Sequence, residues 1–279
     1  MPFTQVDGIA LITGAGSGIG EETGYAFAEA GALGVVFADI NYHAALWKAT
    51  NSKFYATNPK YHSVAIKVDT SEPTSVQEMV DLAVKEFGRI DYCINSAGIM
   101  SSSLVPATDI DIENFDKVLK INTRGVMLCV RAVSKVMMQQ EPRMFKGRHG
   151  QERSLGRGCI VNLGSLSSIT ASKGMMAYVA SKHALLGITK VAASDLKQHG
   201  IRVNAVCPSP VATPMMDLTM KKLPKSEPVV TKKTRMPRVA WPEEVANVAV
   251  FLCSPSSTYI SGTGVVIDAG ISASIPARI

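Results

Sequence analysis

Seven short apolar runs are spaced along the chain: Gly8–Thr13, Val35–Asp39, Ser63–Val68, Tyr92–Asn95, Gly158–Leu163, Arg202–Cys207 and Val265–Asp268. They read as continuous blocks and not as an alternation of apolar and polar positions. Strands of that kind are covered on both faces, as in a parallel sheet. Between them the pattern predicts helices over Gly18–Ala30, Asn41–Ala56, Thr74–Phe87, Ile112–Gln140, Ala177–Gln198 and Pro242–Cys253. In the third of these, Val76, Met79, Val80, Ala83 and Phe87 recur at helical spacing, with Ser71 as candidate cap and Pro73 in the first turn. Gly31 is placed to end the first helix. Regular strand–helix alternation predicts an α/β fold of three layers, a seven-stranded parallel sheet with helices on both faces, in one domain over residues 1–279.

Two stretches break the rhythm. Glu141–Arg157 is long and basic and reads as a loop; Ser209–Trp241 is rich in Pro, Met, Thr and Lys. The second follows the carboxyl end of a strand, where ligands bind in open sheets. It is read as a substrate lid over about 209–241, with a plain surface excursion as the alternative.

Apolar residues make up 46% of the 279, enough for one sizeable core. The net charge of +6 raises nucleic acid or a membrane surface as partners. The basic excess lies in Arg143–Arg157 and Lys221–Arg238, and neither stretch interleaves stacking aromatics with its charges. No nucleic-acid partner is therefore expected, and the two stretches are solvated or meet an anionic ligand. No apolar run approaches the ~20 residues of a membrane span, and the N-terminus lacks a signal-peptide pattern. Five cysteines, an odd count with no metal-ligand spacing, fit a reducing compartment. The expectation is a cytoplasmic protein with no membrane partner and no metal.

Thr13-Gly14-Ala15-Gly16-Ser17-Gly18-Ile19-Gly20 joins the first strand to the first helix. Its glycines permit a sharp turn and close approach to a pyrophosphate, and the helix N-terminus offers free N–H groups and partial positive charge. Asp39 closes the second strand, where an acid binds ribose hydroxyls in the dinucleotide-binding Rossmann pattern. A carboxylate there repels a 2′-phosphate, and no Arg or Lys stands in the glycine loop or just after Asp39. NAD is expected over NADP.

The TGxxxGxG spacing resembles the short-chain dehydrogenase/reductase family in its compact form, and further motifs agree across nearly the whole chain. Asn95-Ser96-Ala97-Gly98 is similar to the family's NNAG turn, with Ser96 replacing the second Asn. Asn122 matches the helix-borne active-site Asn. Ser165, Tyr178 and Lys182 match the family's Ser and YxxxK positions. Pro208 opens the PG turn, with Ser209 in place of Gly, and Asp268-Ala269-Gly270 replaces DGG. These departures touch backbone turns and put local loop shape in doubt. The resemblance implies a cofactor site of Gly14, Ser17, Gly18, Ile19, Gly20, Asp39, Ile40, Asp69, Thr70, Asn95, Ala97, Gly98, Tyr178, Lys182, Pro208, Val211 and Thr213. Asp69 would hold the adenine ring and Thr213 the nicotinamide carboxamide. Substrate would meet Met100, Leu166, Met175, Ser209, Met215 and Met216. For the two lid methionines core packing is the alternative, and Met adapts to irregular apolar ligands. The basic stretch before the fifth strand also resembles fungal biosynthetic-pathway members of the family. A homotetramer or homodimer through the helices Ile112–Gln140 and Ala177–Gln198 is further implied.

Hydride transfer to a carbonyl leaves an oxygen that needs a proton. A phenol with pKa near 10 serves as that acid/base when a cation favours phenolate. Tyr178 and Lys182 stand at i and i+4, on one helix face, so Lys182 can supply the charge and hold the nicotinamide ribose. Ser165 would donate to the substrate oxygen. By resemblance, Asn122 would hold a water linking Lys182 to solvent. His183 points about 100° away around the helix and is read as structural. The resulting expectation is a NAD(H)-dependent oxidoreductase that interconverts a secondary alcohol and a ketone on a fairly large apolar small molecule. A catalytically silent dinucleotide sensor, and an epimerase or dehydratase working through transient oxidation, are the alternatives.

Overall fold

A computed structural model of the chain describes residues 5–222 and 238–274. The elements run β1 (Ile9–Thr13), α1 (Gly18–Glu29), β2 (Gly34–Asp39), α2 (Tyr42–Ser52), β3 (His62–Lys67), α3 (Pro73–Phe87) and β4 (Tyr92–Asn95). Then follow α4 (Ile112–Leu119), a π-helical turn Lys120–Gly125, α5 (Val126–Gln139), β5 (Arg143–Lys146), β6 (Glu152–Gly156) and β7 (Gly158–Leu163). The remainder is α6 (Met176–Leu196), β8 (Ile201–Pro208), α7 (Pro214–Lys222), α8 (Pro242–Cys253) and β9 (Gly264–Ile267).

Seven strands form one parallel sheet in the order β3-β2-β1-β4-β7-β8-β9. The predicted three-layer, doubly wound architecture is the observed one. One face carries Val76, Met79 and Val80 of α3, Cys129 and Val133 of α5 and Leu185 of α6. The other carries Phe27 of α1, Ala45 of α2, and Val245, Ala249 and Leu252 of α8. Strands β1, β4 and β8 are buried at every position, as continuous apolar runs require. The two edge strands depart from that reading. His62 and Lys67 of β3 and Val266 of β9 are exposed, because an edge strand has a neighbour on one side only.

Helix ends follow local chemistry. The Asn41 side chain accepts from Ala44 N–H at the start of α2. Gly88 ends α3 in the left-handed region at φ 76°. The cap of α3 is Glu72 and not Ser71, and no side chain bonds there, since Pro73 at the helix start removes one donor. Two predictions need larger corrections. The single helix Ile112–Gln140 is interrupted by the π turn. And Glu141–Arg157 is not a loop: β5 and β6 pair antiparallel as a hairpin of mostly exposed residues. Its arginines are used inside the protein. Arg143 bonds Asp7 and the Tyr92 hydroxyl, and Arg153 donates to Pro255 O at 2.8 Å and lies over the Phe145 ring. Arg157 donates to Gln140 O at 2.8 Å. Through these three arginines the stretch clamps the hairpin to the rest of the chain.

Candidate active site

All the loops that leave the carboxyl ends of the strands gather along one edge of the sheet. Between β1 and α1 the chain turns through Gly14 at φ 68° and Gly18 at φ 57°. Added methyls show how closely the loop is packed. At Gly14 a Cβ would lie 2.7 Å from Ala97 N; at Gly20 it would lie 2.2 Å from Gly14 O. At Gly18 it would lie 3.2 Å from the Thr213 methyl, so the loop after β8 touches the glycine turn. Ser17 at the N-cap of α1 is exposed and makes no side-chain capping bond. The first N–H groups of α1 are thus not capped by that side chain, and a cradle of backbone donors suits a pyrophosphate. Ile19, half-buried, packs against the core beneath.

Asp39 stands at the end of β2. One carboxylate oxygen accepts from Gly16 N–H at 2.9 Å and the other from Asn41 N–H at 2.8 Å. The acid therefore shapes the glycine loop as well as facing its rim, and each oxygen keeps a further lone pair for a ribose hydroxyl. Ile40 beside it is exposed. Strand pairing adds what the linear reading missed: Lys67 is the register partner of Asp39, so a cation stands at this rim, in a recess with Ile40 and His43.

Asp69 accepts from Ser71 N–H at 2.9 Å, and the bonds from Ser71 hold its carboxyl below the usual range. Thr70 is buried and packs against Gly125, where a Cβ would lie 3.1 Å from its hydroxyl. Asn95 is buried and donates to Asn162 Oδ1 at 2.8 Å. That side chain is tied into the sheet, while Ala97 and Gly98 present backbone. Ala97 N–H donates to Thr13 Oγ1 at 3.3 Å.

Four residues were expected to carry chemistry, and contacts link them. Asn122 lies in the π turn, a feature that recurs at functional sites. Its Oδ1 accepts from Ile99 N–H and its Nδ2 donates to Ile99 O, both at 2.8 Å; Nδ2 also reaches Ser181 Oγ at 3.2 Å. The carboxamide is thus engaged in holding the segment after β4. A methyl on Gly98 would lie 3.2 Å from Asn122 Oδ1 and 3.8 Å from Lys182 Nζ, so both groups border that glycine. Lys182 is 6% exposed, donates to Leu163 O at 2.6 Å and sits 5.6 Å from the Tyr178 ring centroid. Burial pushes its ammonium down to about 8. Burial raises Tyr178 above the ordinary phenol value, and its hydrogen bond with Ser165 opposes that. Burial is the larger effect, and it opposes the phenolate that the sequence reading expects Lys182 to favour.

Ser165 begins a tight turn after β7. Its Oγ accepts from Ser167 N–H and its own N–H donates to Ser168 Oγ, both at 3.1 Å. Two residues that the linear reading left out support it. Ser168 is buried, and Cys207, at the end of β8, bonds Ser168 and the Ser165 backbone and lies close to Lys182. Their signal in sequence is faint, a small residue three places on and an apolar strand end.

Pro208 is buried at the end of β8, and Ser209 N–H donates to Ile267 O at 2.9 Å. Val211 is buried and bridges to Ala240, with Ala212 N–H donating to Ala240 O at 2.9 Å. Both ends of the expected lid are therefore stitched together; residues 223–237 of it lie outside the described residues. Thr213 Oγ1 accepts from Met216 N–H at 3.3 Å, starting α7 from the cofactor edge. On α7, Met215 is 40% exposed and Met216 half-buried. Met100, Leu166 and Met175 are half-buried, following β4, following Ser165, and capping α6.

A family profile described as enoyl-(acyl carrier protein) reductase matches residues 14–272. The chain is 41% identical over 266 residues to the short-chain dehydrogenase anuF of Penicillium roqueforti, covering 95% of this chain and 96% of that protein. It is 38% identical over 266 residues to the short-chain dehydrogenase fogB of Aspergillus ruber, covering 95% and 97%. The structure of levodione reductase superposes with a TM-score of 0.84 at 31% identity, covering 97% of this chain and 100% of that one. A 3-ketoacyl-(acyl-carrier-protein) reductase from Brucella melitensis, complexed with NADH, gives 0.80 at 29%, covering 96% and 99%.

Proposed function

Because the chain belongs to the short-chain dehydrogenase/reductase family, we propose that it is a NAD(H)-dependent enzyme interconverting a secondary alcohol and a ketone on a fairly large apolar small molecule. The observation that carries this is the linked set Asn122, Ser165, Tyr178 and Lys182 beside the glycine cradle of β1 and α1. When bound, the nicotinamide supplies or accepts the hydride. The chain's residues do the rest. Tyr178 gives or takes the proton at the substrate oxygen, and Ser165 donates a hydrogen bond to it. Lys182 holds the nicotinamide ribose, and Asn122 fixes the segment that carries Gly98 and Ile99.

Asp39 at the ribose rim supports NAD over NADP. The NADH complex of the Brucella reductase is in keeping with that choice. The half-buried methionines around Ser165 and on α7 support an apolar substrate under a lid over 209–241, the whole forming one catalytic domain. Fungal relatives named short-chain dehydrogenases support a biosynthetic role. No helix among the described residues is long and apolar enough to cross a membrane, and we place the enzyme in the cytoplasm. Exposed Met127 on α5 and Val191 on α6 support a homodimer or homotetramer through those helices; the other apolar positions of that pair, such as Leu128, Val133 and Leu185, are core. A screen of bulky cyclic alcohols and ketones, read by NADH absorbance, tests the proposal. Turnover with a ketone or secondary alcohol supports it, and turnover without net change in NADH points to transient oxidation.

A further inference from the structure

At the opposite end of the sheet, under the β5–β6 hairpin, lies a cavity of about 20 Å³ bordered by Tyr92, Arg143, Cys159, Arg202 and Cys253. A water needs about 10–15 Å³ measured this way, so the cavity takes one molecule of roughly that size. Cys159, near the start of β7, is the register partner of Tyr92. Both residues belong to the core on the sheet face that α8 covers, and Cys253 is the last residue of α8. The Cys159 thiol donates to Leu252 O at 3.2 Å and lies close to the Cys253 thiol. The other three cysteines, Cys93, Cys129 and Cys207, belong to the core on the other face.

Arg202 is the third member of the site. It is 9% exposed, and its Nη1 donates to Ile260 O at 3.0 Å. Its Nε–H is buried without a hydrogen-bond partner among the described residues, a costly state for a donor. The Cys253 thiol beside it holds the Cys159 thiol below the ordinary cysteine value, and Arg202 adds to that, against burial. A thiolate beside a cation is the reactive form of cysteine.

We propose that Cys159 and Cys253 form an oxidation site, a dithiol that a small hydroperoxide converts to a disulfide inside the folded chain. The Cys159 thiolate attacks one peroxide oxygen and the O–O bond breaks. Cys159 becomes a sulfenic acid, and the departing hydroxide takes up the thiol's proton to leave as water. The Cys253 thiol then attacks the Cys159 sulfur, the S–O bond breaks, and its proton leaves with that hydroxyl as a second water. Two thiols are oxidised by two electrons and one hydrogen peroxide is reduced to two waters. Arg202 Nε–H is the donor for the oxygen on Cys159. The small cavity sets the selectivity, since hydrogen peroxide is close to the largest oxidant it admits. The site is independent of the cofactor and substrate readings.

The test uses the full chain. It is treated with hydrogen peroxide, unfolded in iodoacetamide, digested and mapped by mass spectrometry. The expected product joins the Cys159 and Cys253 peptides with loss of two hydrogen atoms, while Cys93 and Cys129 are recovered alkylated. Cys159 should be consumed at least about tenfold faster than Cys129, a fully buried thiol that burial alone pushes up to about 12. Cys253→Ser should stop at a Cys159 sulfenic acid that dimedone traps. If that variant does not fold, the wild-type map alone decides. Equal survival of all five thiols, or a disulfide joining a different pair, overturns the proposal.

Discussion

Gly20→Ala is the sharpest probe of the dinucleotide cradle, because the structure states what the added methyl meets. It would lie 2.2 Å from Gly14 O, 2.7 Å from Gly14 C and 3.1 Å from Ala15 Cα. Ordinary contacts between carbon and its neighbours begin above about 3 Å, so the two segments must separate by about 1 Å. Gly14 has no room to retreat: its own Cβ position is 2.7 Å from Ala97 N. The movement therefore falls on α1, which is itself packed on β2, since a methyl on Gly24 would be 2.2 Å from the Phe37 ring. Overpacking of this kind costs about 1–3 kcal/mol. At about 2–4 °C per kcal/mol for a chain of this size, Tm should fall by about 2–12 °C. The N-terminal donors of α1 move with the helix, and NADH affinity should drop at least about tenfold, equivalent to about 1.4 kcal/mol. Fluorescence titration with NADH and a thermal melt read the two effects. A Gly20→Ala protein with wild-type Tm that binds NADH within about twofold of the wild type would refute the pyrophosphate reading of this turn.

Other variants probe the site itself. Tyr178→Phe should lower kcat by about 10²–10⁴ while NADH still binds, measured by steady-state rates and titration; normal turnover would remove Tyr178 from the chemistry. Asp39→Ala should raise the NADP-to-NAD ratio of kcat/KM by at least about tenfold, a gain that Lys67→Ala in the same chain should cancel. An unchanged ratio would mean that another group selects the cofactor. Lys182 has a folded pKa of about 8, below its ordinary 10.5, so between those values the unfolded chain binds the extra proton and stability gained from Lys182 rises with pH. Unfolding in urea should show wild type gaining on Lys182→Met by on the order of 3 kcal/mol from about pH 8 to 10.5. A pH-independent difference would show that the ammonium is better solvated than its burial implies.

Long apolar blocks carry their own instructions, and so β1, β4 and β8 were legible at once. Residues whose signal depends on pairing were not. The hairpin β5–β6 is built from segments such as Arg143-Met144-Phe145-Lys146 with one buried residue, Phe145, and a pattern so short and charged resembles a loop. Lys67 became part of the cofactor rim only through its register with Asp39. The π turn at Lys120–Gly125 lies inside a continuous helix-forming run with no Pro to mark it. Asn122 was picked out by its motif, although the π turn and the bonds to Ile99 that place it were not legible. The proposed substrate wall was the least legible: Met100, Leu166, Met175 and Met216 are half-buried side chains on four separate segments, and no single periodicity links them.

The proposed catalytic pair shows why motif and environment must be argued together. Burial opposes charge on both members: it raises Tyr178 and brings Lys182 down to about 8. Alone, the spacing Tyr178 to Lys182 would suggest a cation simply stabilising a phenolate. In the fold, Lys182 donates to Leu163 O at 2.6 Å, and burial, opposed by the hydrogen bond with Ser165, favours the neutral phenol of Tyr178 over the phenolate. On the proposed function, the neutral phenol is the form that donates a proton to a developing alkoxide, which suits carbonyl reduction directly. For alcohol oxidation the same phenol must first lose its proton, and the positive charge that favours this comes from Lys182 acting with whatever cation lies at the nicotinamide position. On that proposal the protein would supply position and a low-dielectric setting, and leave part of the electrostatic driving force to the bound cofactor.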